Sequence, residues 1–135
     1  MKKFILSLFI LLIICVTFSG CSNSAPTKKS SIEVGLSTDE GGLNDKSFNQ
    51  SANTGILKAK DEFNLIYKPI ESTKKEDYEP NLQALVENGS DLIFGVGFQM
   101  GDAMTNVSKK NPKIKFAIID SVVAQSNVLS INFKE

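Results

Sequence analysis

The fold is decided by the segment IEVGLSTDEGGLNDKSFNQ, residues 32–50, in which an apolar run leads through a polar loop into a helical pattern. The first six residues predict a β-strand, because they are mostly apolar and are followed by a cluster of polar turn residues. From Ser47 onward, apolar side chains recur every three or four residues, which predicts an amphipathic helix with Phe48, Ala52, Ile56, Ala59 and Phe63 on one side. Either Asn44 or Asp45 can cap that helix by accepting a hydrogen bond from a free backbone N–H.

The same order of strand and helix continues to the end of the chain. The patterns predict strands over 65–70, 91–96, 114–120 and 128–133, and helices over 78–88 and 100–110. Pro69 places the second strand at a sheet edge, because proline cannot donate a hydrogen bond to a ladder. Strands joined by helices of about ten to sixteen residues predict right-handed crossovers, so the fold class is α/β, a parallel sheet with flanking helices.

The first residues of the chain predict export. Two lysines precede an almost continuously apolar run, residues 4–16, which is shorter than the roughly 20 residues that span a bilayer. The small residues that follow end on Cys21, which resembles the lipobox of bacterial lipoproteins. We therefore interpret residues 1–20 as a signal peptide, Cys21 as the lipidated first residue of the mature chain, and residues 21–31 as a flexible tether. An uncleaved membrane anchor is the alternative.

Composition narrows the possible functions. The chain has no histidine, and neither of its two cysteines remains a free thiol once the signal peptide is removed and Cys21 is lipidated. The usual general base and nucleophile are therefore missing, and we expect no catalytic residue, no disulfide and no cofactor. No group of ligands has a recognisable metal-site spacing, so we expect no metal. The mature chain has thirteen lysines and fifteen acidic residues, a net charge of −2 that does not predict nucleic-acid binding.

Three loops are predicted to meet at one edge of the sheet. Because parallel strands all point the same way, the loops that leave them gather at their carboxyl ends, which brings together residues 39–49, 95–99 and 120–121. These loops contain carboxylates, amides, glycine backbone and the aromatic rings of Phe48 and Phe98. Such a set suits a neutral, planar, polyhydroxylated ligand, since carboxylates accept from hydroxyl and N–H groups and aromatic faces provide stacking area. A phosphate would be repelled by the acidic side chains of the first loop.

Each candidate residue also has a structural interpretation. Phe48 belongs to the apolar side of its helix and could be a core residue, and Asp45 is better explained as a helix cap than as a ligand contact. Asp120 could simply begin a turn, although it follows a central strand at the edge where binding sites lie. Asp39 and Asn49 have no structural role that the sequence reveals, so we interpret both as ligand contacts.

The sequence leaves three other functions to compare. Two carboxylates can serve as acid and base, so a surface hydrolase of nucleosides or glycosides that uses Asp39 and Asp120 is the alternative function. A surface adhesin would fit the lipid anchor but gives no reason for three polar loops to meet. The segment GVGFQMG, residues 95–101, imitates a dinucleotide-binding loop, but it has one residue too many before the last glycine. An exported protein also meets little nicotinamide cofactor, so we set that interpretation aside.

Four segments resemble one known family. They are GLNDKSFNQ at 42–50, GVGF at 95–98, FAIID at 116–120 and NVLSINFKE at 127–135. With these segments the chain is similar to the basic membrane protein family of substrate-binding lipoproteins, whose better understood members resemble purine nucleoside receptors of ABC transporters. The resemblance covers essentially the whole mature chain, and its first segment is specific.

The resemblance implies a type I periplasmic-binding-protein fold, in which two α/β lobes close on a nucleoside at the hinge. Residues 32–135 would then form part of the N-terminal lobe, with the second lobe missing. The implied protein is a monomer on the extracytoplasmic face of the cell membrane, held there by its lipid. It would deliver a purine nucleoside, or a similar small polar solute, to an ABC permease.

The same resemblance implies roles for single residues. Phe48 would stack on the purine, and Asp120 would hydrogen-bond its edge. Asp39 and Asn49 would complete the contacts from this lobe, and Phe98 would line the pocket. These five residues are the predicted ligand-binding set.

Overall fold

The protein is built on five parallel strands, as seen in a computed structural model that describes residues 31–134. In chain order the elements are β1 (Glu33–Ser37), α1 (Phe48–Phe63), β2 (Ile66–Ile70), α2 (Tyr78–Glu87), β3 (Leu92–Val96), α3 (Gly101–Lys110), β4 (Lys115–Ile119) and β5 (Val128–Ile131). Short 3-10 helices, Lys75–Asp77 and Phe98–Met100, precede α2 and α3. The predicted signal peptide, Cys21 and the tether up to residue 30 lie outside the described residues.

The strands are arranged in the order β2-β1-β3-β4-β5, and every neighbouring pair is parallel. The predicted α/β class is therefore confirmed, and so is the edge position of β2, the strand that contains Pro69. The first connection leads from β1 to β2, its neighbour on one side in the strand order. The next connection leads from β2 to β3, the neighbour of β1 on the other side. The carboxyl ends of β1 and β3, at Ser37 and Val96, therefore flank the topological switch point, where open α/β sheets bind ligands.

The sheet separates two hydrophobic clusters. The larger cluster packs α2 and α3 on one face and includes Ile93 of β3 and Phe116 of β4. The smaller cluster packs α1 on the other face, where Ile56 meets β1, and Phe94 of β3 packs against it. Side chains alternate between the two faces along each strand, which explains why β3 has an almost unbroken apolar sequence. The sheet is thus covered by two helices on one side and by α1 on the other.

Helix α1 has nearly the predicted bounds, but its apolar side is buried only in the middle. Ile56 is 7% exposed, whereas Phe48 and Phe63, at the two ends, are 42% and 65% exposed. Sixteen helical residues extend about 24 Å, whereas five strand residues extend about 17 Å, so α1 is longer than the strands against which it packs. The core interpretation of Phe48 is therefore wrong, and its ring lies at the carboxyl edge of the sheet.

Two other predicted boundaries shift for local reasons. Residues 98–100 form a 3-10 turn, so α3 begins at Gly101. Strand β5 ends at Ile131 rather than at Phe133, because its partner strand ends at Ile119, which lies opposite Ile131. No helix within residues 31–134 has the length and apolar character needed to cross a bilayer.

Candidate functional site

Loops from three strands meet at the carboxyl edge of the sheet. The loop after β1 touches the loop after β3, because a Cβ atom built on Gly97 would lie only 2.7 Å from Oδ2 of Asp39. Gly97 has a φ of 99°, so it needs glycine both for its backbone conformation and for this close approach. Its N–H donates to the carbonyl of Ile119 at 3.0 Å, which ties the β3 loop to β4. The loops that the sequence predicted to meet at the carboxyl edge of the sheet therefore come together beside Asp39.

The two carboxylate oxygens of Asp39 have different surroundings. Oδ1 accepts hydrogen bonds from the N–H of Gly41 at 2.9 Å and from Nδ2 of Asn49 at 2.7 Å. No described residue donates a hydrogen bond to Oδ2, which faces Gly97. One oxygen thus fixes the orientation of the carboxylate, and the other makes no hydrogen bond with the described residues.

Asp45 caps helix α1. Its carboxylate accepts from the N–H groups of Ser47 at 2.7 Å, Gln50 at 3.0 Å and Asn49 at 3.1 Å. Burial by itself raises the pKa of Asp45, but the hydrogen bonds from Gln50, Ser47 and Asn49 outweigh it and hold that pKa below its ordinary value. The sequence left Asn44 and Asp45 as possible caps, and the structure selects Asp45.

Asn49 links Asp39 to the helix cap. Its side chain is 1% exposed, and Nδ2 donates both to Oδ1 of Asp39 at 2.7 Å and to Oδ2 of Asp45 at 3.0 Å. The opposite orientation of the amide would point its oxygen at two carboxylates, so the hydrogen bonds fix the orientation shown. Its Oδ1 is buried and has no hydrogen-bond partner among residues 31–134. Sequence reasoning missed this structural role, and a direct contact between Asn49 and a ligand stays a prediction.

The aromatic rings of the edge are exposed. Phe98, the first residue of the 3-10 turn after β3, is 69% exposed. The ring of Phe48 stacks on the ring of Phe133, with 5.2 Å between the ring centroids and 27° between the ring planes. Sequence reasoning did not single out Phe133, although an aromatic residue just after the last strand had to lie at this same edge.

Asp120 follows β4 in a left-handed backbone conformation, with a φ of 66°. Its N–H donates to the carbonyl of Ile131 at 2.8 Å, which holds it against β5. No described residue donates a hydrogen bond to its carboxylate. A non-glycine residue in this conformation costs about 1 kcal/mol, and such residues concentrate at functional sites. A direct contact between Asp120 and a ligand stays a prediction.

Residues 32–135 match the model of the family Bmp, described as ABC transporter substrate-binding protein PnrA-like. The chain belongs to this family. It is 37% identical over 150 residues to the "CD4+ T-cell-stimulating antigen" of Listeria innocua and 34% identical over 146 residues to the "ABC transporter nucleoside-binding protein BmpA" of Lactococcus lactis. Each alignment covers the whole chain and 42% of the relative, so the chain spans less than half the length of these Bmp proteins.

Solved structures agree with the Bmp assignment. A crystallised protein fragment from Peptoclostridium difficile 630 has a TM-score of 0.69 and 30% identity, and the match covers 76% of this chain and 85% of that one. An ABC transporter solute-binding protein from Aeropyrum pernix K1 has a TM-score of 0.68 and 31% identity, with 73% of this chain and 28% of that one covered. The resemblance seen in the sequence is confirmed at the level of family and fold.

The edge of this Bmp chain is negatively charged. The hydroxyl of Tyr78 donates to Oε1 of Glu40 at 3.4 Å, and burial, followed by the charges of Glu40 and Asp39, raises the pKa of Tyr78. Oε2 of Glu71 accepts from the N–H of Leu43 at 2.8 Å, so a further carboxylate holds the loop after β1. Within residues 31–134 no three His, Cys, Asp or Glu side chains are grouped as metal ligands. The carboxylates of this edge would repel an anion.

Proposed function

We propose that this chain supplies ligand-binding residues of an extracytoplasmic receptor that collects purine nucleosides for an ABC permease. The observation that carries the proposal is that the loop and helix start after β1 present both an exposed Phe48 ring and an Asp39 carboxylate, one oxygen of which accepts no hydrogen bond from a described residue. An aromatic face suits a planar base, and a fixed carboxylate oxygen suits the hydroxyl and N–H donors of a nucleoside.

Each predicted residue has a place in the proposal. Phe48 stacks on the base, while Asp39 and Asp120 accept hydrogen bonds from the base edge or the ribose. Phe98 closes the pocket from the β3 side. Asn49 contributes by orienting Asp39, because its side chain donates a hydrogen bond to one oxygen of that carboxylate.

The charge of the edge supports a nucleoside over a nucleotide. The carboxylates of Asp39, Glu40 and Asp120 belong to the loops that meet there. A phosphate would have to approach them without help from a buried lysine, because none of the described lysines is buried. The Lactococcus lactis relative bears the name of a nucleoside-binding protein, which agrees with this preference. The hydrolase alternative has no observation in its favour, since the matched family is one of substrate-binding proteins.

The anchor and the partner belong to the same proposal. Residues 1–20 direct export, Cys21 carries the lipid, and residues 21–31 let the domain move above the membrane surface. A receptor held in this way delivers its solute to a permease in the same membrane. In this proposal the receptor is a monomer, and a second lobe completes its pocket.

A titration followed by NMR tests the ligand class. The purified chain is titrated with adenosine, guanosine and inosine, and in parallel with AMP, ribose and an amino acid. NMR follows millimolar as well as micromolar affinity, which matters because one lobe alone covers only part of a ligand. We expect saturable shifts with nucleosides and weaker or no shifts with AMP. Saturable shifts with ribose or the amino acid alone would refute the nucleoside proposal.

Two matched variants test whether nucleoside binding depends on the ring of Phe48. Phe48→Ala removes the proposed stacking surface and should cost about 1 to 3 kcal/mol of nucleoside affinity. Phe63→Ala removes an equally large exposed ring from the other end of α1 and should leave affinity unchanged. Equal affinity in the two variants would show that Phe48 does not stack on the ligand.

A further inference from the structure

The ring of Phe133 is placed to control the orientation of Phe48. The two rings have a centroid separation of 5.2 Å and an interplanar angle of 27°, which is within the range of stacked aromatic pairs. Neither ring is part of the two hydrophobic clusters, and Phe133 is 56% exposed. The pair is therefore a contact at the surface of the site and not an extension of the core.

The two rings come from distant parts of the sheet. Phe48 begins α1 after β1, whereas Phe133 follows β5, and three strand spacings of together about 14 Å separate β1 from β5. Strand β5 is paired up to Ile131, whose carbonyl also accepts from the N–H of Asp120 at 2.8 Å. Phe133 is thus two residues beyond a firmly paired strand end, and the segment after β5 brings its ring into contact with the ring of Phe48 at the start of α1.

The ring of Phe48 stays partly exposed beside the stack. Phe48 keeps 42% of its surface exposed despite the contact with Phe133. Phe48 is the first residue of α1, and it belongs to neither hydrophobic cluster of the described residues. We propose that Phe133 is a positioning residue, whose stack fixes the Phe48 ring so that its open face receives a planar ligand.

This inference rests on the proposed nucleoside site, in which Phe48 is the stacking residue. The order of layers is Phe133, then Phe48, then the base. A ring that is already held does not have to be immobilised when the ligand binds, so the stack improves affinity by preorganisation. Loss of the pair should weaken binding about three- to tenfold, the range that corresponds to one aromatic pair.

The experiment compares three variants of the full chain with the unchanged protein. Phe133→Ala removes the stack, Phe133→Tyr restores a ring at the same position, and Phe63→Ala removes an exposed ring elsewhere on α1. Adenosine titrations by NMR give the Kd, thermal unfolding gives the Tm, and the ring resonances of Phe48 are followed without ligand. We expect Phe133→Ala to shift those resonances and raise the Kd about three- to tenfold, with Phe133→Tyr within about twofold of the unchanged chain. The Tm should change no more than in Phe63→Ala.

Several outcomes would overturn the inference. Tighter adenosine binding by Phe133→Ala would mean that Phe133 covers the ligand face of Phe48 instead of supporting it. An unchanged Kd, or the same loss in Phe63→Ala, would mean that the stack has no part in binding. These outcomes leave the nucleoside site standing, whereas a failure of the unchanged chain to bind adenosine would refute the proposed function and this inference together.

Discussion

Replacing Asn49 with aspartate should make the stability of the fold strongly dependent on pH. In Asn49→Asp an oxygen takes the place of Nδ2, which lies 2.7 Å from Oδ1 of Asp39 and 3.0 Å from Oδ2 of Asp45. Two charges about 3 Å apart repel by about 5 kcal/mol at an effective dielectric constant of 20, so three ionised carboxylates cannot share this cluster. The new side chain, buried where Asn49 is 1% exposed, should therefore stay protonated in the folded state.

The loss in the free energy of unfolding can be estimated from the proton that the folded variant must hold. Holding a proton at pH 7 on a group with an ordinary pKa of about 3.9 costs about 4 kcal/mol, at 1.36 kcal/mol per pH unit. A protonated carboxyl has one donor where the amide has two, so one hydrogen bond to a charged group is also lost, at about 1.5 to 3 kcal/mol. We expect Asn49→Asp to lose about 6 to 7 kcal/mol at pH 7 and to recover nearly 3 kcal/mol at pH 5.

Urea unfolding followed by circular dichroism at pH 7 and pH 5 measures both values. The direction of the pH dependence is fixed, because the folded pKa of residue 49 is raised in the variant. The loss in the free energy of unfolding therefore grows as pH rises above about 3.9. Asn44→Asp makes the same change of charge at an exposed position in the same loop and should show almost no loss at either pH. An equal loss at both pH values, or a similar loss in the control, would refute the described contact of Asn49 with two carboxylates.

Two further predictions concern the same edge. Gly97→Ala should lower the free energy of unfolding by about 1 to 3 kcal/mol, because the φ of residue 97 is 99°. It should also weaken adenosine binding, because the new methyl group would meet Oδ2 of Asp39. An unchanged Kd in the titration would contradict that placement of Asp39. Asp45→Ala should cost about 1 kcal/mol at pH 7 through the lost cap. Because the folded pKa of Asp45 is lowered, this contribution is present above about pH 3.9 and is lost as pH falls through the folded value, so chemical unfolding at pH 3 should show a smaller difference.

The order of elements could be predicted because each strand and helix carries its own periodic signal. The strand at 91–96 is apolar throughout, which indicates burial on both faces, and Pro69 alone placed its strand at the edge. Parallel strands then determine which loops meet, so the positions of Asp39 and Asp120 at one edge followed from topology.

The contacts within the edge could not be predicted, because they depend on loop conformation. Asn49 reaches Asp39 only because the intervening loop turns at Gly42 and Lys46, which have φ values of 68° and 57°. The sequence signal for a turn was present at the glycine and absent at the lysine. The exposure of Phe48 was likewise not contained in the helical pattern, which puts it on the same apolar side as the buried Ile56.

The most direct test of the account is the position of a bound nucleoside on the chain. Intermolecular nuclear Overhauser effects are measured between the base protons of adenosine and the ring protons of labelled phenylalanine. The account predicts contacts to Phe48, together with shifts of the backbone amides around Asp39, Gly97 and Asp120. Contacts confined to other phenylalanine rings, or amide shifts confined to the outer surface of α2 and α3, would contradict it.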